Sequence, residues 1–238
     1  MIVLAIDTCD LRGSVAVLRD ASVLKVVAHE SQEDYSSWLL PAVSEALSGS
    51  GLRMEDVDAY AVAAGPGSFT GVRVGLTTVK AWAEVCGKPI VPVSRLEAIA
   101  VEASSGTTFV SAFANAQRGQ VFGAVYMRNQ RGLARMGDEM VIAPCKFIET
   151  AVEMACGARI CWVSTDAACL TSEGSWKPRE ALGESVETVS SVLAPMIGRI
   201  GMRELAAGRF MDALALDANY VRRSDAEIFW KGGAAHGC

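Results

Sequence analysis

Histidine is nearly missing from this chain: His29 and His236 are the only two in 238 residues. A catalytic zinc takes about three protein ligands, mostly nitrogen donors, so histidine-based metal chemistry has little to build on. Aromatic residues are sparse at 7%. No Cys-x-x-Cys occurs among the seven cysteines, Cys9, Cys86, Cys145, Cys156, Cys161, Cys169 and Cys238. An odd, widely spaced set argues against a secreted disulfide framework and against a zinc finger. The thiols read as reduced, mostly buried side chains of a cytoplasmic protein. No uncharged apolar run approaches the ~20 residues of a membrane span. The first residues, Met1-Ile-Val-Leu-Ala-Ile6, meet Asp7 at once, without the basic flank and length of a signal peptide. Basic residues are outnumbered, 22 Lys+Arg against 27 Asp+Glu, for a net charge of -5. A stand-alone nucleic-acid binder would show the opposite balance.

What is present is a large apolar complement, 51% hydrophobic against 21% charged residues, which excludes a disordered chain. A chain of this length buries roughly 70–75% of its unfolded surface. The charge is uneven. Residues 1–105 hold 13 acidic and 8 basic side chains, whereas residues 106–238 hold 14 of each.

Short apolar runs at 2–6, 15–18 and 23–27, separated by polar turns, predict a meander of strands. The period then changes. Trp38, Leu39, Ala42, Val43, Ala46 and Leu47 form a helical stripe, closed by Gly49 and Gly51. A strand at 59–64 runs into a glycine-rich turn, followed by helical spacing over Val72, Leu76, Val79, Lys80 and Ala83 up to Gly87. Residues 90–93 predict a strand, and Ser94 with Glu97 a capping box. The small, polar stretch 103–107 marks a soft boundary. Strands are predicted at 109–114, 121–126, 136–142 and 160–163, and helices at 147–155 and 189–207, the last with Pro195 in its first turns. Two α/β units follow, 1–105 and 106–238.

The turn reads Gly65-Pro66-Gly67-Ser68-Phe69-Thr70-Gly71. Glycine lets a ligand approach the backbone, and the helix start behind it offers free N–H groups to a phosphate. The spacing is not that of a dinucleotide-binding loop, which needs glycine where Thr70 stands. Nor does it fit a Walker loop, which needs Gly-Lys-Ser/Thr where Gly71-Val72-Arg73 stands. A strand-to-helix glycine turn also serves structure alone, and Arg73 suits either an anion or a surface carboxylate. Asp7, at the end of the first strand, suits either a metal-bound phosphate or a turn cap.

The run Ala64-Gly-Pro-Gly-Ser-Phe-Thr-Gly-Val-Arg-Val-Gly75, with Lys80, Gly87-Lys88-Pro89, the first strand Leu4-Ala-Ile-Asp-Thr8 and Ser36-Ser-Trp-Leu-Leu-Pro41, resembles the bacterial TsaB (YeaZ) family. The likeness is dense over residues 1–100. It is looser at Asn115-Ala-Gln-Arg-Gly-Gln-Val-Phe122, where neutral Asn115 and Gln120 stand for the family's usual carboxylates, and at Ala218-Asn-Tyr-Val-Arg222. Tyr35 stands where the family usually has histidine.

This resemblance implies a two-domain actin-like, Hsp70-like ATPase (ribonuclease H-like) α/β fold with mixed central sheets. It implies a non-catalytic scaffold or activator subunit of the complex that makes tRNA N6-threonylcarbamoyladenosine at position 37. Such a subunit pairs with the paralogue TsaD as a heterodimer, works with TsaE, forms a homodimer when alone, and meets tRNA only through the complex. The paralogue's metal-binding histidine pair falls here on Arg95 and Ile99, and neither side chain has a lone pair to offer a metal. No metal and no tightly bound cofactor are expected. A partial nucleotide site of Asp7, Thr8, Gly67, Ser68, Thr70 and Arg73 is expected to hold ATP or ADP weakly, at a partner interface. The expected partner-docking residues are Tyr35, Trp38, Leu39, Val72, Leu76, Val79 and Trp82. The alternative is a kinase-like or metallopeptidase-like enzyme of the same superfamily.

Overall fold

A computed structural model describes residues 1–216, apart from Ala21, Ser31, Gln32, Ser105 and Arg131. The family likeness at 218–222 lies outside the described residues. The opening run forms β1 (Ile2–Asp7), buried at every position. A strand without alternation must be covered on both faces. β2 (Ser14–Arg19) and β3 (Ser22–Ala28) follow as antiparallel neighbours. Then come α1 (Tyr35–Ser48), β4 (Ala59–Ala63), α2 (Phe69–Cys86) and β5 (Ile90–Val93). The sheet order is β3-β2-β1-β4-β5, with β4 and β5 parallel to β1. α1 buries the six residues of the predicted stripe. α2 ends at Gly87, whose φ of 63° is the left-handed cap that glycine permits without strain.

Short α3 (Arg95–Val101) starts at Ser94, whose side-chain oxygen accepts from the Glu97 N–H at 3.2 Å. The second sheet is β10-β9-β6-β7-β8. It is built from β6 (Phe109–Asn115), β7 (Val121–Asn129), β8 (Gly132–Ile142), β9 (Ile160–Ser164) and β10 (Val186–Thr188), with α4 (Pro144–Met154), α5 (Ala168–Thr171) and α6 (Lys177–Ala181) between them. α7 (Ala194–Ala206) is the last helix described.

Strand alternation sets the layers. Ala5 and Ala61 are register partners, and both face α7. A Cβ on Gly201 would lie 2.6 Å from the Ala61 Cβ, and one on Gly198 3.2 Å from the Ala5 Cβ. Ile6 and Val62, the next pair in register, face α2 instead. In the second sheet Val110, Ala112 and Ala114 join the core shared with the first sheet. Phe113, on the opposite face, packs with Phe147 of α4 and Trp162 of β9 in a separate core. α3 and α7 touch each other between the two sheets.

Two differences from expectation follow. α7 belongs to the segment 106–238 but covers the first sheet, so the second unit supplies a helix to the first. It also begins at Ala194 rather than 189. Pro195 sits in its first turn, where its missing N–H would have no helical acceptor anyway. The short elements α5, α6 and β10 were not anticipated, because three to five residues carry no readable period.

Candidate functional site

The end of β1, the glycine turn and the start of α3 converge on one buried knot. Asp7 is 0% exposed. Its Oδ1 accepts the Cys9 N–H at 2.9 Å. Arg95, 2% exposed, brings its guanidinium against two carboxylates. Nη2 donates to Asp10 Oδ2 at 2.8 Å, and Nε stands 3.5 Å from Asp7 Oδ2. The Arg95 N–H donates to the Gly65 carbonyl at 2.8 Å, tying the helix to the glycine turn. Burial pulls the guanidinium toward neutrality, but Asp7 and Asp10 outweigh it, and Arg95 is held above its ordinary value. Beneath them lies Cys9, its thiol pushed well up by burial and by Asp7. The knot reaches α1 as well, since the Tyr35 hydroxyl donates to the Asp10 carbonyl and the Tyr35 ring contacts His29. Removing one partner of such a buried pair leaves an uncompensated charge, at a cost of about 3–5 kcal/mol.

The glycines of the turn serve contact between backbones. A Cβ on Gly67 would lie 2.3 Å from the Cys9 carbonyl oxygen, and one on Gly71 2.0 Å from that of Thr8. Thr8 is buried, and its hydroxyl donates to the Gly71 carbonyl at 2.7 Å. The Ser68 N–H donates to the Cys9 carbonyl at 2.7 Å, and the Ser68 hydroxyl accepts the Gly71 N–H at 3.4 Å. Two amides that a phosphate would use are therefore already engaged. The expected nucleotide residues divide accordingly. Asp7 and Thr8 are interior, while Ser68, Thr70 and Arg73 line the rim, with Arg73 stacked 3.7 Å from the centre of the Phe69 ring.

The resemblance puts the paralogue's two metal ligands at Arg95 and Ile99. Ile99 is fully buried in the apolar core, and the other ligand position supplies a cation. Among the described residues no group of three or more His, Cys, Asp or Glu is arranged to hold a metal ion. In the second sheet Asn115 shapes the β6–β7 turn, its Oδ1 accepting the Gln117 N–H at 2.7 Å and its Nδ2 donating to Asp166 at 3.3 Å.

Of the expected docking residues, Trp38, Leu39, Val72, Leu76 and Val79 are interior. They line the inner faces of α1 and α2, so a partner would not touch them. Tyr35 and Trp82 are half-buried, Trp82 against Tyr60. The large apolar side chains that these helices expose are Leu40, Phe69 and Val85, which the sequence reading missed because it counted only the core-facing stripe. It also read Arg95 only as a failed ligand. The signal was available, since a buried Asp7 requires a nearby cation.

Residues 24–161 match the family model described as "TsaD: tRNA N6-adenosine threonylcarbamoyltransferase". The chain is 35% identical over 126 residues to the tRNA threonylcarbamoyladenosine biosynthesis protein TsaB of Bacillus subtilis, covering 53% of this chain and 55% of that protein. It is 36% identical over 137 residues to the protein of that name in Escherichia coli, covering 56% and 58%. The chain thus spans about half the length of the curated relatives it matches. The solved YeaZ from Pseudomonas aeruginosa superposes with a TM-score of 0.71 at 23% identity, over 92% of this chain and 99% of that one, so the two share a fold. Among the described residues no helix is long and apolar enough to cross a membrane. By these matches the chain belongs to the family that the tRNA N6-adenosine threonylcarbamoyltransferase (TsaD) model describes, on its TsaB (YeaZ) side.

Proposed function

We propose that this chain is a non-catalytic, cytoplasmic subunit of the machinery that makes tRNA N6-threonylcarbamoyladenosine. It docks on TsaD as a heterodimer and works with TsaE, and it pairs with a second copy of itself when alone. The observation that carries the reading is Arg95, whose guanidinium fills the ground between Asp7 and Asp10 with Ile99 buried behind it. A guanidinium and an alkyl group offer a metal no lone pair, which supports a non-catalytic role. The names of the matched relatives support the pathway.

The outer faces of α1 and α2 are the docking surface in this reading. Leu40 (58% exposed) and Phe69 (40%) project from them, with Tyr35 and Trp82 partly accessible. Two helices of 14 and 18 residues match the scale of a standard interface, roughly 800 Å² and 20–30 residues per side. Nucleotide, if it meets this chain, binds weakly at the rim of Ser68, Thr70 and Arg73 and needs the partner to complete its site. A net charge of -5 supports leaving the contact with tRNA to the partners. The test is reconstitution of the modification with TsaD, TsaE, ATP, threonylcarbamoyl-adenylate and tRNA, with and without this chain. Loss of the modified base on omission is expected; equal modification without the chain overturns the reading.

A further inference from the structure

His29 follows β3 and is 6% exposed. Both of its ring nitrogens meet backbone carbonyl oxygens, Nδ1 that of Leu11 at 3.1 Å and Nε2 that of Glu33 at 2.8 Å. A carbonyl oxygen only accepts, and a neutral imidazole has one N–H to give. Whichever tautomer it took, a neutral ring would set one nitrogen lone pair against a carbonyl lone pair. The doubly protonated ring satisfies both contacts. Its surroundings hold it in place: the ring centroid lies 4.7 Å from that of Tyr35 and 5.0 Å from that of Trp38, and the His29 backbone N–H donates to the Gly13 carbonyl at 2.8 Å. We propose that His29 is carried as an imidazolium and works as a proton-operated clasp, joining the β1–β2 loop to the start of α1. That start lacks a cap of its own, since the Asp34 side chain at the N-cap accepts no capping hydrogen bond. The titratable groups of the segments packed on the ring are Cys9, Asp10 and Arg12 of the β1–β2 loop, Tyr35 of α1, and Glu30, Glu33 and Asp34 beside it in sequence. With Asp10 taken up by Arg95, three carboxylates stand against one guanidinium, a balance that favours a positive ring. Loss of the ring proton to solvent releases one carbonyl, and the longer Leu11 contact is the one expected to open. The inference does not depend on the proposed function.

The test compares the melting temperature of the full chain with that of His29→Phe, which keeps an aromatic ring but cannot carry a proton. Both are followed from about pH 5.5 to about pH 8.5, the range in which an imidazole changes charge. A folded state that needs the proton binds more protons than the unfolded chain, so its stability falls as pH rises. The difference between wild type and variant is expected to move against the wild type by about 3–6 °C over that range, the worth of a modest hydrogen bond to a charged group in a chain of this size. Other titrating groups act on both chains and cancel. A smaller change, or one of opposite sign, overturns the proposal. Should His29→Phe not fold, ring ¹⁵N and carbonyl ¹³C NMR on the His236→Ala chain decides, because His29 is then its sole imidazole. Titrated until the ring changes charge, the Leu11 carbonyl is expected to shift in step with the ring nitrogens. A Leu11 carbonyl that stays put as the ring titrates overturns the proposal.

Discussion

Replacing Gly71 by alanine separates two meanings of the glycine turn. If the glycine exists so that a ligand can reach the backbone, the free protein should tolerate a methyl group there. It should even gain up to about 1 kcal/mol, since alanine is the better helix former inside α2. The structure demands the opposite. The new Cβ would lie 2.0 Å from the Thr8 carbonyl oxygen and 3.2 Å from its carbon, atoms of a buried strand end that cannot rotate aside. Forcing α2 away from β1 costs about 1–3 kcal/mol by overpacking. It also weakens the buried bond from the Thr8 hydroxyl to the Gly71 carbonyl, worth about 1 kcal/mol. Net of helix propensity, the loss is about 1–3 kcal/mol, or roughly 2–12 °C in melting temperature for a chain of this size. Thermal unfolding followed by circular dichroism, without ligand, reads it directly. A variant that melts within about 1 °C of the wild type, or above it, refutes the packing account.

On α1 the exposed and buried faces should part company. Leu40→Glu is expected to leave the melting temperature nearly unchanged while weakening binding to TsaD by about 30-fold, the loss of one hot-spot side chain. Trp38→Ala is expected to cost about 3–5 kcal/mol of stability as a core truncation; titration calorimetry and thermal melts on both variants check the pair. Acid stability should depend on Glu184. Burial pushes its carboxyl up, but hydrogen bonds from Arg179 and from Trp162 Nε1 (2.7 Å) prevail and hold it below the ordinary 4.5. A depressed carboxylate contributes stability in full above its unfolded value and loses it as pH falls through the folded one. Melting temperature should therefore fall below about pH 4.5 more steeply in the wild type than in Glu184→Gln, and parallel curves would count against it. Alkylation mapped by mass spectrometry should label exposed Cys86, Cys145 and Cys156 and spare Cys9 and Cys161. Labelling of Cys9 in the folded chain would contradict its burial and its raised thiol.

The elements legible in the sequence were those with enough residues to show a period. The α1 stripe from Trp38 to Leu47 was read residue by residue, because six apolar positions over ten residues admit one helical face. The glycine turn, the Gly87 cap and the Ser94 cap were legible because each rests on local chemistry. What escaped depends on distant pairs. Arg95 meets Asp10 across 85 residues, and nothing near either position announces the other. Pattern also cannot tell a stripe that faces a partner from one that faces the molecule's own sheet. Trp38 and Val72 met both descriptions until β2 and β3 were seen to lie beneath α1, and β4 beneath α2. The return of α7 to the first sheet rests on two small residues, Gly198 and Gly201, which read as weak helix formers and matter only once Leu18 and Ala61 stand opposite.

That return sets a timetable for synthesis. The strands of the first sheet are complete at Val93, and the helix that covers their second face begins at Ala194, about 100 residues later. At 5–20 residues per second the ribosome needs roughly 5–20 s to supply it. Until then Ala5, Leu18 and Ala61 present an open apolar surface beside a half-made sheet. The nascent first half therefore waits for its own distal end, and a messenger truncated before codon 194 would yield a chain suited to chaperone capture or aggregation rather than a smaller folded unit.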